Sequence, residues 1–371
     1  MAGDQHSHQS PEELDDLAAL RARIDALDSE LLVHLSERAR CAEAVARVKR
    51  SQESNPVFYR PEREAEILRR VREQNPGPLS AEAITRLFRE IMSECLALEY
   101  PLNVAYLGPV GTFTHLAARK HFGHAVETQP LASIDAVFGA VETGRAQFGV
   151  VPIENSSEGV VTHTVDCFMD SSLQICGEVI TPIHHHLLSH AEELGQVRRV
   201  LAHAQALAQC RQWLDNELAH AEREAVSSNA RAAEIAATDP TVAALASQAA
   251  ADHYQLPVRV PHVEDRADNT TRFLIIGSGT TEPSGADRTS VMLSTANRPG
   301  SLYSLLKPIA EAGVSLTRIE SRPSRCTPWN YVFFLDLIGH QQDPLIRDCL
   351  EQLRASADTV KVLGSYPQAA T

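Results

Sequence analysis

Arg38 and Lys49 stand 11 residues apart in a stretch, Pro11 to Asn55, that holds no internal Gly or Pro. Three helical turns cover about 11 residues, so in a helix both cations share one face to within ~20°. Arg21 lies 17 residues before Arg38, roughly 26 Å along such a helix and on another side of it. One small ligand therefore touches both arginines only if two chains contribute. Taken alone, charges on a helix are a solvated face; held in place, they would clamp an anion.

A second group follows. Leu107-Gly108-Pro109-Val110-Gly111-Thr112-Phe113-Thr114-His115 leaves a short apolar strand and opens a helix, with Thr114 a candidate N-cap, so backbone N–H groups there could receive an anion. It is neither a dinucleotide fingerprint nor a P-loop with its lysine. In Asn269-Thr270-Thr271-Arg272-Phe273 a hydroxyl sits beside a guanidinium, a pair able to donate to a departing oxygen and anchor a carboxylate. The plainer reading is β-forming residues entering a strand. His184-His185-His186 invites a metal reading; in a strand only the outer two share a face, and no carboxylate or cysteine lies at supporting spacing, so no metal is expected.

The elements that would position these groups follow from pattern. At 371 residues the chain needs two or three cores. A net charge of -14 argues against nucleic acid or an anionic membrane as partner. The seven cysteines are odd in number and scattered, which fits a reducing cytoplasm, and neither an export signal nor a membrane span is evident in the sequence. Ser10-Pro11-Glu12-Glu13 has the form of a capping box, and Leu17, Leu20, Ile24, Leu27 and Leu31 recur at helical spacing. Helices to about Asn55, from Pro61 to Gln74 and from Ser80 to Tyr100 make an all-α unit over 11–100, too thin to close a core alone, and an interlocked homodimer is expected. From Val104 to Ile276 short strands alternate with helices, the α/β pattern of a unit over 103–279. Thr280 to Asp287 is polar and turn-rich and reads as a linker. The remainder, 288–371, reads βαββαβ, which is ferredoxin-like and α+β.

The order and spacing of Leu20-Arg21-x-x-Ile24-x-x-Leu27-Asp28, Glu37-Arg38, Lys49, Arg63-Glu64 and Ile84-Thr85-Arg86-Leu87-Phe88 resemble the all-helical chorismate mutase class. The resemblance implies a one-step rearrangement of a dianion, chorismate to prephenate, which calls for fixed cations and donors and no covalent intermediate. It implies that Arg38, with Arg21 from a second chain, clamps two carboxylates. Glu64, beside Arg63, would hold a substrate hydroxyl, and Lys49 would face the breaking ether oxygen. The chain departs from one form of the class at Arg60, where Asp can occur, at Cys95, where Ser can occur, and at Glu99, where Gln can donate to the ether oxygen. Only a protonated Glu99 could donate likewise, so a carboxyl pKa raised by burial is expected there.

Val151-Pro152-Ile153-Glu154-Asn155-Ser156-Ser157-Glu158-Gly159 and the Thr271-Arg272-Phe273 motif, with the Gly-rich turn, resemble the prephenate dehydratase family. The resemblance implies two α/β lobes around a cleft, similar to periplasmic binding proteins. It implies loss of carbon dioxide and the ring hydroxyl from prephenate to give phenylpyruvate, with Thr271 as the essential donor and Arg272 as anchor. Thr112, Thr114, Asn155 and Ser156 would be cleft contacts. Arg298-Pro299-Gly300-Ser301-Leu302 and Glu320-Ser321-Arg322-Pro323 resemble the amino-acid-binding motifs of ACT domains on such enzymes, which implies phenylalanine as a feedback effector at a dimer interface. Neither reaction needs a cofactor. A mutase fused to an NAD-dependent dehydrogenase would need a dinucleotide fingerprint, which Gly108 to His115 does not supply. A non-catalytic amino-acid sensor would lack both the basic helical set and Thr271.

Overall fold

A computed structural model describes residues 16–54, 56–296, 298–323 and 331–369. The capping signal at Ser10–Glu13 lies outside the described residues. α1 (Leu17–Gln52) opens at Asp16, whose carboxylate accepts from the Ala18 amide at 3.2 Å. α2 (Pro61–Glu73) starts on its proline, and α3 (Ala81–Glu99) on Ser80, which accepts from the Ala83 amide. α1 buries only Ala42 and Ala46. Its larger apolar residues face out: Leu31, Leu32 and Val33 are 58%, 67% and 62% exposed. The expected three-helix unit is therefore present, with its seam uncovered.

The middle region has two lobes. In the first, β1 (Asn103–Leu107), α4 (Phe113–Phe122), β2 (Glu127–Leu131), α5 (Ile134–Glu142), β3 (Phe148–Asn155), β4 (Gly159–Val160), α6 (Thr162–Asp170) and β5 (Gln174–Pro182) are followed in chain order by the whole second lobe before β11 (Thr270–Gly277) returns. The sheet order is β2-β1-β3-β11-β5, with β4 on β3. The second lobe runs β6 (His186–Leu188), β7 (Arg199–Ala202), α7 (Ala204–Gln209), α8 (Arg211–Glu217), β8 (Glu222–Ala225), α9 (Asn229–Ala236), β9 (Val242–Ala246), α10 (Gln248–Tyr254) and β10 (Val258–Val260), in sheet order β10-β6-β9-β7-β8. The chain passes between lobes twice, from β5 to β6 and from β10 to β11. Those passages are hydrogen-bonded to each other, Val263 N to His185 O at 2.8 Å and Ile183 N to Asn269 O at 2.9 Å.

The last unit is β12 (Asp287–Thr295), α11 (Ser301–Glu311), β13 (Leu316–Pro323), β14 (Tyr331–Ile338), α12 (Pro344–Ser356) and β15 (Thr359–Pro367), in order β13-β14-β12-β15. One sheet face takes both helices around Val291, Leu305, Leu335 and Leu350. From the other, Val332, Phe334, Leu363 and Tyr366 join Phe168 and Ile175 in the first lobe's core. β15 runs so close to β5 that a Cβ at Gly364 would strike the Ile175 backbone. The segment read as a linker is accordingly no loose tether. Thr281 is buried and donates to Ser365 O, His340 Nε2 lies 3.1 Å from Thr281 O, and β12 already begins at Asp287. Polarity there serves local hydrogen bonds rather than solvent. Among the described residues no helix is long and apolar enough to cross a membrane.

Candidate active site

Between the lobes lies a cleft of about 650 Å³. The turn after β1 reaches into it, and the N-cap there is Thr112, not Thr114: its Oγ1 accepts from His115 N at 3.3 Å and donates to Leu107 O at 3.1 Å. Thr114 lies one step into α4 and still lines the cleft. The positions differ because the turn ends at Gly111 (φ 85°), two residues earlier than an N-cap at Thr114 implies. Across the cleft Ser247 Oγ donates to Gly111 O at 2.9 Å, and a Cβ on Gly111 would stand 3.0 Å from Ala250 Cα.

β3 and β11 pair so that Asn155 stands opposite Thr271. Asn155 Nδ2 donates to Thr271 Oγ1 at 2.8 Å and to Asn269 Oδ1 at 2.9 Å. Asn155 Oδ1 is itself held by the amides of Ser157 and Glu158, at 3.0 and 3.1 Å. Ser156 Oγ donates to Asn269 Oδ1 at 3.3 Å and accepts from Thr270 N at 2.9 Å. A threonine hydroxyl that accepts from an amide keeps its own proton to give. Thr271, Asn155 and Thr112 all line the cleft.

Arg272 corrects the expectation. Consecutive strand residues face opposite ways, so while Thr271 enters the cleft, Arg272 leaves it. Its guanidinium binds Glu178 (2.7 Å), Asp336 (2.6 Å) and Tyr366 Oη (2.9 Å), all buried. It anchors the last unit, not a ligand in the cleft. No Lys or Arg lines the cleft among the described residues. Its provision for anions is instead the N-terminal ends of α4 and α9, capped by Thr112 and Ser228, where backbone N–H groups point outward and favour negative charge.

Two further cleft residues escaped the sequence reading. His185 is 2% exposed, packs edge-on to Phe113 at 5.6 Å, and places Nε2 at 3.0 Å from Gln209 Oε1. Burial lowers its pKa. Gln209 Oε1 also accepts from Asn269 Nδ2 at 3.2 Å, linking the second lobe to the Thr271 network. His185 was visible within the histidine triplet; Gln209 carried no signal. His115, stacked on Tyr106 at 4.9 Å, is lowered to about 4 by burial.

In the helical unit Arg38, Lys49 and Glu99 come together. Burial raises the Glu99 pKa against the opposing pull of Lys49 and Arg38. Lys49 Nζ donates to Val57 O at 2.9 Å and lies 5.5 Å above the Phe58 ring, while Arg38 reaches Ile91 O at 3.4 Å. Arg21 is exposed at the far end of α1. Arg60 is exposed at the start of α2, Arg63 pairs with Glu66 at 2.6 Å, and Cys95 is buried. Glu64 is not brought to this group. It lines a separate cavity of about 340 Å³ where all three units meet, 3.5 Å from Arg89 Nε, and burial raises its pKa to about 7 despite that arginine. The reason is its phase on α2: Glu64 shares the inward face with Leu68, toward the two-lobed region.

In the last unit Thr295 pairs with Tyr331, and Tyr331 with Pro323, so β12 and β13 end together. Gly300 (φ 86°), Ser301 and exposed Leu302 follow one, and Glu320 to Pro323 close the other. Ser301 Oγ accepts from Arg298 N at 3.2 Å and donates to Ala296 O at 2.8 Å. Arg322 is taken up elsewhere: it makes a two-pronged pair with Asp166 on α6, at 3.1 and 3.2 Å. Along β13 the even-numbered residues turn inward, which removes Arg322, and Glu320 with it, from the exposed face and leaves Ser321 and Pro323 on it.

A helical unit with a basic cluster, a two-lobed cleft built on a threonine–asparagine pair, and a βαββαβ module bolted behind it define the class to which comparison then points. Residues 20–100 match the chorismate mutase type II family, 104–281 the prephenate dehydratase family and 289–355 the ACT domain family. A bifunctional chorismate mutase/prephenate dehydratase of Pseudomonas aeruginosa is 54% identical over 359 residues, 96% of this chain and 98% of the relative. One from Neisseria gonorrhoeae is 49% identical over 352 residues, 94% and 96% of the two chains. The crystal structure of a prephenate dehydratase from Arthrobacter aurescens in complex with L-Phe superposes with a TM-score of 0.68 at 35% identity, covering 72% of this chain and 90% of that one. The chain belongs to the bifunctional chorismate mutase/prephenate dehydratase family.

Proposed function

We propose that the chain rearranges chorismate to prephenate in its helical unit (11–100), converts prephenate to phenylpyruvate in the cleft (103–279), and is restrained by phenylalanine at its ACT unit (288–371). The observation that carries the second step is the Asn155 amide held against Thr271 Oγ1. In this reaction the bond from the ring to a carboxylate breaks, carbon dioxide leaves, and the freed electron pair completes the aromatic ring as the hydroxyl departs. The departing oxygen gains negative charge until it takes a proton and leaves as water. The Thr271 hydroxyl, oriented by Asn155, donates a hydrogen bond to that oxygen, and the proton that completes water is drawn in the end from solvent, so the threonine keeps its own. The ends of α4 and α9 receive the carboxylates in place of an arginine.

For the first step, Arg38 and Lys49 supply half of a dianion clamp, and Arg21 from a second copy completes it. The uncovered apolar seam of α1 supports that homodimer. Phenylalanine is assigned to the Gly300–Leu302 turn and the neighbouring end of β13 at Ser321 and Pro323. Its effect reaches the cleft through β11, which carries Thr271 on one face and the ACT-bound Arg272 on the other. A coupling free energy of about 1–3 kcal/mol is the ordinary size for such control. The odd, scattered cysteines support a cytoplasmic setting.

The test gives purified chain chorismate and follows prephenate and phenylpyruvate together, with and without phenylalanine. Thr271→Ala is expected to halt at prephenate, with dehydratase turnover down ~10²–10⁴, and Thr271→Ser to restore part of it. Equal loss of both activities would remove Thr271 from its role. An unchanged dehydratase rate at saturating phenylalanine would remove the regulatory assignment.

A further inference from the structure

We propose that His184, His262 and Glu264 form a transition-metal site, of the kind zinc takes, across the two segments that join the lobes. His184 lies on the passage from β5 to β6, and His262 and Glu264 on the passage from β10 to β11. Glu264 Oε1 is 2.7 Å from His184 Nδ1 and 3.5 Å from His262 Nδ1, and the three donor atoms lie within 4.8 Å of one another. Tetrahedral zinc with bonds of ~2.0–2.1 Å sets its ligand atoms about 3.3 Å apart. The donors straddle that spacing before any ion arrives.

The surroundings hold them there. Glu264 has a side chain 3% exposed, and its other oxygen accepts from His185 N at 2.9 Å, which leaves Oε1 aimed at the two imidazoles. His262 is fixed at φ 53°, a region costly for a residue other than glycine, and its amide donates to His186 Nδ1 at 3.1 Å. The His184 and His262 rings meet edge to face at 4.6 Å. The His262 side chain is 59% exposed, so an ion can enter and keep water in its fourth position. Facing a carboxylate, His184 Nδ1 carries the hydrogen; on binding, the imidazole takes the tautomer with its proton on Nε2, and the Nδ1 lone pair so freed goes to the ion in place of the hydrogen bond to Glu264. The sequence reading set a metal aside for want of a carboxylate; the fold delivers one from 80 positions away.

One other group, Asp135, His163 and Cys167, also brings donor atoms together. Its Asp135 and His163 side chains are 65% and 54% exposed on helices of a single lobe, with no buried carboxylate to organise it. It makes a natural control. An ion at the hinge site would pin both passages, and because they carry His185 and Asn269 into the cleft, it would act on the dehydratase step and not on the mutase. That consequence rests on the dehydratase reading; the binding itself does not.

The experiment uses the full chain without a histidine tag, stripped by chelator and titrated calorimetrically with zinc chloride, with cobalt(II) absorption as a second readout. One saturable equivalent is expected. His262→Ala and Glu264→Gln should each weaken it about tenfold or more and abolish the tetrahedral cobalt band, while the Asp135→Asn, Cys167→Ser double variant binds as the parent does. Zinc should shift prephenate turnover at least twofold in the parent and not in His262→Ala. Absence of saturable binding, binding indifferent to His262→Ala, or binding lost in the Asp135/Cys167 variant would each overturn the site. Binding without any change in turnover would overturn its action on the hinge.

Discussion

The helical unit and the cleft are built on opposite terms. In the cleft, residues from distant parts of one chain close a continuous network, Ser156–Asn269–Asn155–Thr271 with Gln209 and His185 joined to it. In the helical unit, Arg38, Lys49 and Glu99 meet, Arg21 stands far from them, and α1 leaves Leu31, Leu32 and Val33 in solvent. The first site is complete within one chain. Under the dimer proposed above the second is half a site, and association of two copies would supply both its missing half and its missing core.

The largest test breaks that association. Leu32→Glu with Val33→Glu places two charges on the exposed seam, where they cost a lone chain little and a paired seam a great deal. Light scattering should show loss of the α1-mediated dimer contact. Mutase turnover should fall by at least ~10², with dehydratase turnover within twofold of the parent. A mutase that survives in an undimerised chain would make the helical unit self-sufficient and end the contrast.

The junction between cleft and regulatory module is tested next. Arg272→Met leaves Glu178 with Arg288 and the Ala369 amide, and leaves Asp336 with the Ser290 hydroxyl but without its 2.6 Å cationic partner, both carboxylates buried. Stranding a buried charge in this way costs about 3–5 kcal/mol, read as a lower urea midpoint. Whatever folded protein remains should lose most of its response to phenylalanine. A variant that keeps full inhibition would move the coupling off β11. Smaller again is Gly111→Ala. With φ at 85° and Ala250 Cα at 3.0 Å, a methyl group forces the Ser247–Gly111 contact open. Strain of about 1–3 kcal/mol should appear as a roughly tenfold loss in kcat/KM for prephenate, with the mutase untouched.

What the sequence allowed a reader to see divides along physical lines. Strands and helices carried by period and punctuation stood within a few residues of their places, as in β14 at Tyr331–Ile338 and α12 from Pro344. Short strands such as β6 and β10, three residues each, have too few positions to show a period. Residues recognised by motif fell where expected when their phase matched, as with Thr271 and Asn155. They missed where one step of a strand or helix decides the matter: Arg272 by the alternation of β11, Arg322 by that of β13, Glu64 by its face on α2. Gln209 and the carboxylate of Glu264 depend wholly on long-range closure, which no local pattern encodes.

Glu99 offers the finest comparison, because the role that the resemblance implies for it turns on a proton. Its pKa is raised chiefly by burial, with Lys49, Arg38 and Arg50 pulling the other way, so its neutral form persists to higher pH than an ordinary carboxyl allows. Only that form donates to an ether oxygen. The mutase rate should therefore be on a plateau at acid pH and decline as pH rises through the raised pKa. Dehydratase turnover, which uses a threonine hydroxyl, should not follow it. Glu99→Gln supplies a permanent donor and should flatten the mutase profile at or above the acid plateau. A profile equally flat in the parent and in the variant would show that the ether oxygen takes its charge relief from Lys49 alone.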